Sequence, residues 1–127
     1  MDVLGITTDL PVSALPAAIP FYTAVIGRPA DLAPDDRTAE WILHRDPEIA
    51  LRLIESRADR PDEPTPGTVR VGIGVPDADT ERDRLLGQLP EVPAVVTRPG
   101  VIALLELRDP DGNRVVLWHD LLARART

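Results

Sequence analysis

Apolar and polar residues alternate through Glu48 to Ser56. Ile49, Leu51 and Leu53 fall on one face and Ala50, Arg52 and Ile54 on the other, the two-residue period of a strand. The preceding run, Thr38 to Arg45, reads as a second strand joined to it at Asp46-Pro47. Further upstream, Val3 to Thr8 is a short β-prone run ending at Asp9. The period then changes: Leu15, Ile19, Tyr22 and Ile26 recur at three- and four-residue intervals, which predicts a helix within Leu10 to Ile26. Asp9 or Ser13 is the candidate cap and Gly27 the stop. Pro16 and Pro20 each lack a backbone donor, so the first turns are expected to be irregular and the helix firm from about Pro20.

Arg57 to Gly67 carries Pro61, Pro64, Pro66 and Gly67 among alternating charges and reads as a linker. The order then restarts. Thr68 to Val75 is a strand, Asp77 or Asp79 caps a helix running to Gly87, and Ala94 to Arg98 is a short strand. Val101 to Arg108 and Arg114 to Trp118 form a hairpin around Asp109-Pro110-Asp111-Gly112-Asn113. In that turn Pro110 presets φ, Asp109 can bond its own backbone and Gly112 supplies a positive φ. Arg45-Asp46-Pro47 parallels Arg108-Asp109-Pro110, and each precedes an apolar strand. With a faint strand near Ala30 to Leu32, both halves read β, α, β, β, β. Two copies at a spacing of roughly 60 residues make one pseudo-symmetric α+β domain rather than a solenoid. Its parts are module 1 at about 1–58, a linker at 59–67, module 2 at about 68–120, and a tail at 121–127 expected as a frayed helical turn.

Composition narrows the function. The chain has 127 residues and is 43% hydrophobic, enough for one ordinary globular core. Its 14 positive residues are all arginine against 21 acids, a net charge of −7. That balance speaks against a nucleic-acid or anionic-membrane partner, which needs clustered cations. Cysteine is absent, which removes disulfides, thiolate metal sites and cysteine nucleophiles. No basic leader precedes Val3-Leu4, and no apolar run approaches the roughly 20 residues that span a bilayer. A cytoplasmic protein is expected.

Three stretches in order resemble the vicinal oxygen chelate superfamily, the group of glyoxalase I, extradiol dioxygenases and bleomycin-resistance proteins. They are Asp9-Leu10 with Phe21-Tyr22-Thr23-Ala24-Val25-Ile26-Gly27, then Val75-Pro76-Asp77-Ala78-Asp79, then Asp109 to Asn113. Together they bracket residues 2 to 120. The resemblance implies two βαβββ modules whose mixed sheet curls around one pocket. It also implies, for most members, a divalent metal held by His and Glu as a Lewis acid. The four ligand positions fall here on Asp2, on Ala50 or Arg52, on Arg70 and on Val116. At most one is a ligand type, where a catalytic site needs about three. No metal and no cofactor is therefore expected.

The remaining polar residues have two readings each. His44 is a candidate pocket base, alone or coupled to Glu40 on the same strand face, or a histidine at a strand end. His119 reads as surface. Glu106 interrupts the apolar run Val101 to Leu107, whose two faces both look buried, and needs a partner such as Arg52 or Arg70. It is either a pocket residue or half of a structural ion pair. Glu55 reads as solvated at its strand end. Trp41 and Trp118 are either a pocket wall that stacks a flat ligand or plain core. Gly72-Ile73-Gly74 lacks the context of a phosphate loop, and neither Ser13 nor Ser56 sits in a nucleophile elbow.

The expected ligand-binding residues are Trp41, Arg52, Arg70, Leu104, Glu106 and Trp118. The expected function is metal-independent binding of a planar or cationic small molecule by a homodimer of the bleomycin-resistance kind. The alternative is a glyoxalase-like lyase or isomerase, or a dioxygenase-type enzyme, with a non-standard site such as Asp2, His44 and Glu106.

Overall fold

A computed structural model describes residues 1–57 and 59–122. Leu121 and Leu122 are helical, and the rest of the expected tail turn, residues 123–127, lies outside the described residues. The elements are β1 (Gly5–Val12), α1 (Leu15–Ile26), β2 (Thr38–Arg45), β3 (Glu48–Glu55), β4 (Arg70–Gly74), α2 (Ala78–Leu85), β5 (Val96–Arg98), β6 (Ile102–Arg108) and β7 (Arg114–Asp120). Hydrogen bonding groups the strands into two mixed sheets, β1-β3-β2 and β4-β7-β6-β5, one to each expected module. The described residues form two compact units: those within 1–69 together with 109–113, and residues 70–108 together with 114–122.

In the first unit β1 runs parallel to β3, and β3 is antiparallel to β2 across a turn with a cis Asp46–Pro47 peptide. The expected strand near Ala30 to Leu32 shrinks to one bridge, Leu32 to Glu40. β1 runs four residues beyond Thr8, because Leu10 and Val12 alternate inward and are fully buried. Pro11 is tolerated there since β1 is an edge strand. Asp9 and Ser13 are consequently not helix caps. The cap is Ala14, with no side-chain bond of its own, and Glu55 Oε2 accepts the Leu15 N–H at 2.9 Å from across the unit. Glu55 is thus an acceptor at a helix N-terminus, favourable for an anion, and not simply solvated.

α1 is regular from Leu15, four to five residues earlier than the prolines suggest. Pro16 lies in the first turn, where an N–H would have no intrahelical partner, and only Pro20 sits inside the helix. Its buried stripe is Leu15, Ala18, Tyr22 and Val25, so Ile19 and Ile26 of the expected stripe lie to one side. Gly27 takes φ 91° and bonds Thr23 O, the expected stop. These residues close over Trp41, Leu51 and Leu53 on one face of the sheet.

The Asp109–Asn113 turn is built into this unit by buried hydrogen bonds. Asp109 Oδ1 accepts the N–H groups of Asp111 and Asn113, each at 2.9 Å, and Oδ2 accepts the Tyr22 hydroxyl at 2.7 Å. Asn113 has no exposed surface. Its Nδ2 donates to Pro11 O and Asp109 Oδ2, each at 2.9 Å, and its Oδ1 accepts from Gly67 N and Val69 N at 3.0 and 3.1 Å. Gly67, at φ 88°, approaches the Asp111 carbonyl too closely for any side chain.

The second unit has the full β, α, β, β, β order. β4 is parallel to β7, and β6 is antiparallel to both β7 and β5. Inward residues Ala103, Leu105, Leu107, Val115 and Leu117 are buried on the face that meets α2. Asp77 caps α2 by accepting the Asp79 N–H, settling the choice between the two aspartates. The helix ends at Leu85, two residues short of Gly87.

His119 belongs to this core rather than to the surface. It is 5% exposed, and its Nδ1 accepts the Ala78 N–H at 2.8 Å, a backbone donor of the first turn of α2. Its position on β7 follows Leu117 by two, which points it inward. Removing the acceptor with His119→Ala should cost about 1–2 kcal/mol, as other lost helix-cap bonds do, and chemical denaturation measures it. A variant as stable as the parent would mean that water replaces the bond.

Candidate functional site

Each sheet keeps one face clear of its helix. On the first, β1, β3 and β2 bring Asp9, Arg52 and Glu40 into one row through the pairs Asp9–Arg52 and Glu40–Arg52. Arg52 Nε and Nη2 donate to the two Asp9 oxygens at 2.8 and 3.2 Å, and Glu40 Oε1 lies 3.9 Å from Arg52 Nε. The hydrogen bonds that Arg52 donates to Asp9, and then the Asp9 charge, push the Arg52 guanidinium upward from its ordinary value. Arg52 is therefore paired within its own sheet. Glu40 faces Arg52 and not His44, because a bulge between Ile42 and His44 breaks the strand period that would align them. His44 is exposed, with Nδ1 2.9 Å from Pro47 O.

The second sheet carries a cavity of about 710 Å³ on its open face. Val92, Pro93, Ala94, Val96, Leu104 and Val116 supply its apolar lining, and Arg70, Arg108, Glu91 and Glu106 its charges. The registers explain the gathering: Val96 pairs with Leu104, Glu106 with Val116, and Val116 with Gly72, all with side chains on one face. Val116 is 2% exposed and forms floor; Leu104 and Glu106 are half-buried and form wall. Glu106 is not enclosed on both faces as its apolar neighbours suggest, because β6 alternates strictly and its even-numbered positions face outward. The carboxylate lies 3.9 Å from Arg70 Nε and 3.7 Å from Arg114 Nη1. Arg70, Leu104 and Glu106, three of the expected binding residues, thus come together.

The two tryptophans separate. Trp41 is fully buried beside Tyr22, with ring centroids 6.3 Å apart, and its Nε1 donates to Arg28 O at 2.9 Å. It is core and cannot stack a ligand. Trp118 is half-buried on the open face, directly opposite Leu104. Its indole lies over Gly72 and Gly74: a Cβ on Gly74 would meet Cζ2 at 3.0 Å and one on Gly72 would meet Nε1 at 3.5 Å. That ring explains Gly74, where a Cβ would crowd it, whereas a Cβ on Gly72 would make only ordinary contact with it. Val92, Pro93, Ala94 and Val96 were missed by sequence reasoning, since a short strand and its approach carry no periodicity to orient them.

The donor set does not fit a divalent metal. The ligand positions implied by the resemblance hold Ala50, Arg52, Arg70 and Val116, with Asp2 exposed ahead of β1. Glu106 is flanked by two guanidiniums, which would repel a cation. No cluster of three or more His, Cys, Asp or Glu side chains occurs among the described residues. Asp2 and His44 lie in the first unit and Glu106 in the second.

Solved structures share this architecture. A glyoxalase/bleomycin resistance protein from Catenulispora acidiphila superposes with a TM-score of 0.75 at 20% identity, over 91% of this chain and 96% of that one. A lactoylglutathione lyase from Agrobacterium tumefaciens gives 0.72 at 23% identity, over 92% and 93%. An antibiotic binding protein from a Streptomyces species gives 0.63 at 24% identity, over 90% and 93%. No family model and no curated protein matches the sequence. The chain shares the fold of these glyoxalase, bleomycin resistance and antibiotic binding proteins. That fold carries both a lyase and a binding protein, so the residues of the site must decide between them.

Proposed function

We propose that this chain is a cytoplasmic, metal-independent small-molecule-binding protein that sequesters a planar compound, an antibiotic among the candidates, in the cavity of its second sheet. The observation that carries this reading is a cavity of about 710 Å³ with an apolar floor, four charged lining side chains, and Arg70 and Val116 where a metal would need donors. Similarity to an antibiotic binding protein supports it. Among the described residues, no helix is long and apolar enough to cross a membrane. The cavity's charges favour the planar half of the sequence expectation over the cationic half, because Arg70 and Arg108 line it beside Glu91 and Glu106. A homodimer accompanies the proposal, supported by the exposed apolar residues Val3, Leu4, Ile6 and Ile49 along the edge strand β1 and its neighbour; sedimentation velocity tests it.

The experiment is fluorescence titration with planar compounds in chelator-treated buffer. Trp118, beside the cavity, is the expected reporter and Trp41 a constant background. Trp118→Phe should therefore abolish the ligand-dependent change, and Leu104→Trp should fill the cavity and weaken binding at least about tenfold, an effect of the size expected for losing a packed apolar subsite. Binding that requires added divalent metal, or that survives Leu104→Trp unchanged, would remove the basis for this reading.

A further inference from the structure

Arg70, Arg114 and Arg108 stand side by side across three adjacent strands. The register pairs Arg70 with Arg114 and Arg114 with Arg108, so all three occupy one row at the edge of the cavity. Like charges directly opposite each other destabilise a sheet. Here two such pairs adjoin in a chain whose net charge is −7. The first module shows what the same position looks like without that conflict. There the strand end before its Asp-Pro turn pairs Arg45 with Glu48, opposite charges, and the third strand supplies Gly5. Among the described residues, only Glu106, one row further in, meets the arginines of this row, and its contacts with Arg70 and Arg114 are long, at 3.9 and 3.7 Å. Even with Glu91 counted, three cations face two acids.

The geometry points to an anion subsite: the row Arg70–Arg114–Arg108 receives a carboxylate or phosphate group of the ligand whose apolar body lies on Val116, Leu104 and Val96. This rests on the cavity being the ligand site. Arg70 and Arg108 reach the cavity directly, while Arg114 shares Glu106 with Arg70 and adds to the field. A guanidinium offers several donors in one plane, matched to the two oxygens of a carboxylate or phosphate. Arginine repulsion that weakens the empty sheet is relieved when an anion sits between the side chains. Consistency across levels fails at this row, as it does where a site is built for a ligand.

The test holds the apolar body constant and varies the head group. Naphthoate, naphthyl phosphate, naphthamide and naphthylmethylammonium are titrated calorimetrically against the full chain and against Arg70→Gln/Arg108→Gln. Both arginines are exposed, and a thermal melt verifies that the double variant is folded. The expected result is that the two anions bind at least about tenfold tighter than the amide, the ammonium compound binds most weakly, and the preference falls to about twofold or less in the double variant. The ratio between naphthoate and naphthyl phosphate identifies which anion the row suits. Equal affinity for anion and amide, or a preference that survives in the double variant, overturns the anion subsite and leaves the binding cavity standing. Failure of all four compounds to bind overturns the cavity reading and the subsite together.

Discussion

Asn113→Ala should lower the stability of the protein by about 3–5 kcal/mol, seen as a fall in Tm of roughly 10–20 °C. Asn113 is fully enclosed and all four of its side-chain hydrogen bonds end on buried or half-buried partners. Truncation strands the Gly67 and Val69 N–H groups and the Pro11 carbonyl, and takes a donor from Asp109. A hole the size of an amide leaves little room to re-solvate them, so the desolvation penalties remain largely uncompensated. Since whole-domain stability is of order 5–15 kcal/mol, one side chain here decides whether much of the population is folded at 37 °C. Differential scanning calorimetry reads the effect. A loss below about 1 kcal/mol would mean that the turn holds its shape through the Asp109 backbone bonds alone.

The second large effect is alkaline. Burial, then the hydrogen bond to Asp109, then the charges of Asp109 and Asp111, push the Tyr22 hydroxyl far above its ordinary value near 10. A group whose folded pKa is raised keeps its proton in the native state while the unfolded chain loses it. Stability from Tyr22 is therefore fully present below about pH 10 and declines above it, at about 1.4 kcal/mol per pH unit. By pH 12 the loss amounts to about 2.7 kcal/mol. Tyr22→Phe should cost about 1.5–3 kcal/mol at neutral pH, since it removes one of the two side-chain hydrogen bonds to a buried carboxylate oxygen, Asp109 Oδ2. The same substitution should remove this one-proton slope from the alkaline limb. Urea denaturation from pH 8 to pH 12 on both proteins separates the two outcomes. Parallel limbs would show that Tyr22 does not carry the alkaline transition.

Both effects centre on the turn Asp109-Pro110-Asp111-Gly112-Asn113, and the sequence made its local role plain. Pro110 and Gly112 announce a turn by their own backbone restrictions, and Gly112 does take φ 93°. The strands around it follow from alternation, which is also why β2 and β3 match their expected bounds to within a residue. What the turn bonds to was not legible. Tyr22 is 87 residues from Asp109 along the chain and Pro11 is 102 residues from Asn113. No local pattern encodes a hydrogen bond over that separation.

The site divides in the same way. Arg70, Leu104 and Glu106 were legible as candidates because each stands in a strand whose alternation can be counted. Trp41 and Trp118 occupy late positions in comparable strands, yet one is core and the other lies on the open face. Trp41 falls on the face that α1 covers, opposite Leu51, whereas Trp118 pairs with Gly74 and lies over bare backbone. Period alone gives two faces to a strand without naming the one a helix will cover. Arg52 and Glu106 likewise looked like partners until the register gave each its own neighbours. The arginine row was present in the sequence as three scattered residues, 70, 108 and 114, and only strand pairing aligned them.

By itself, the sequence determined the main elements, the twofold repeat and the residue types at the positions where the resemblance implies metal ligands, because these depend on residue type, spacing and turn chemistry within a few residues. Only the tertiary structure decided which sheet face is open, which tryptophan is core, and that three like charges stand in one row. Those properties arise from pairing between distant segments, where contact is set by register and burial and not by position along the chain.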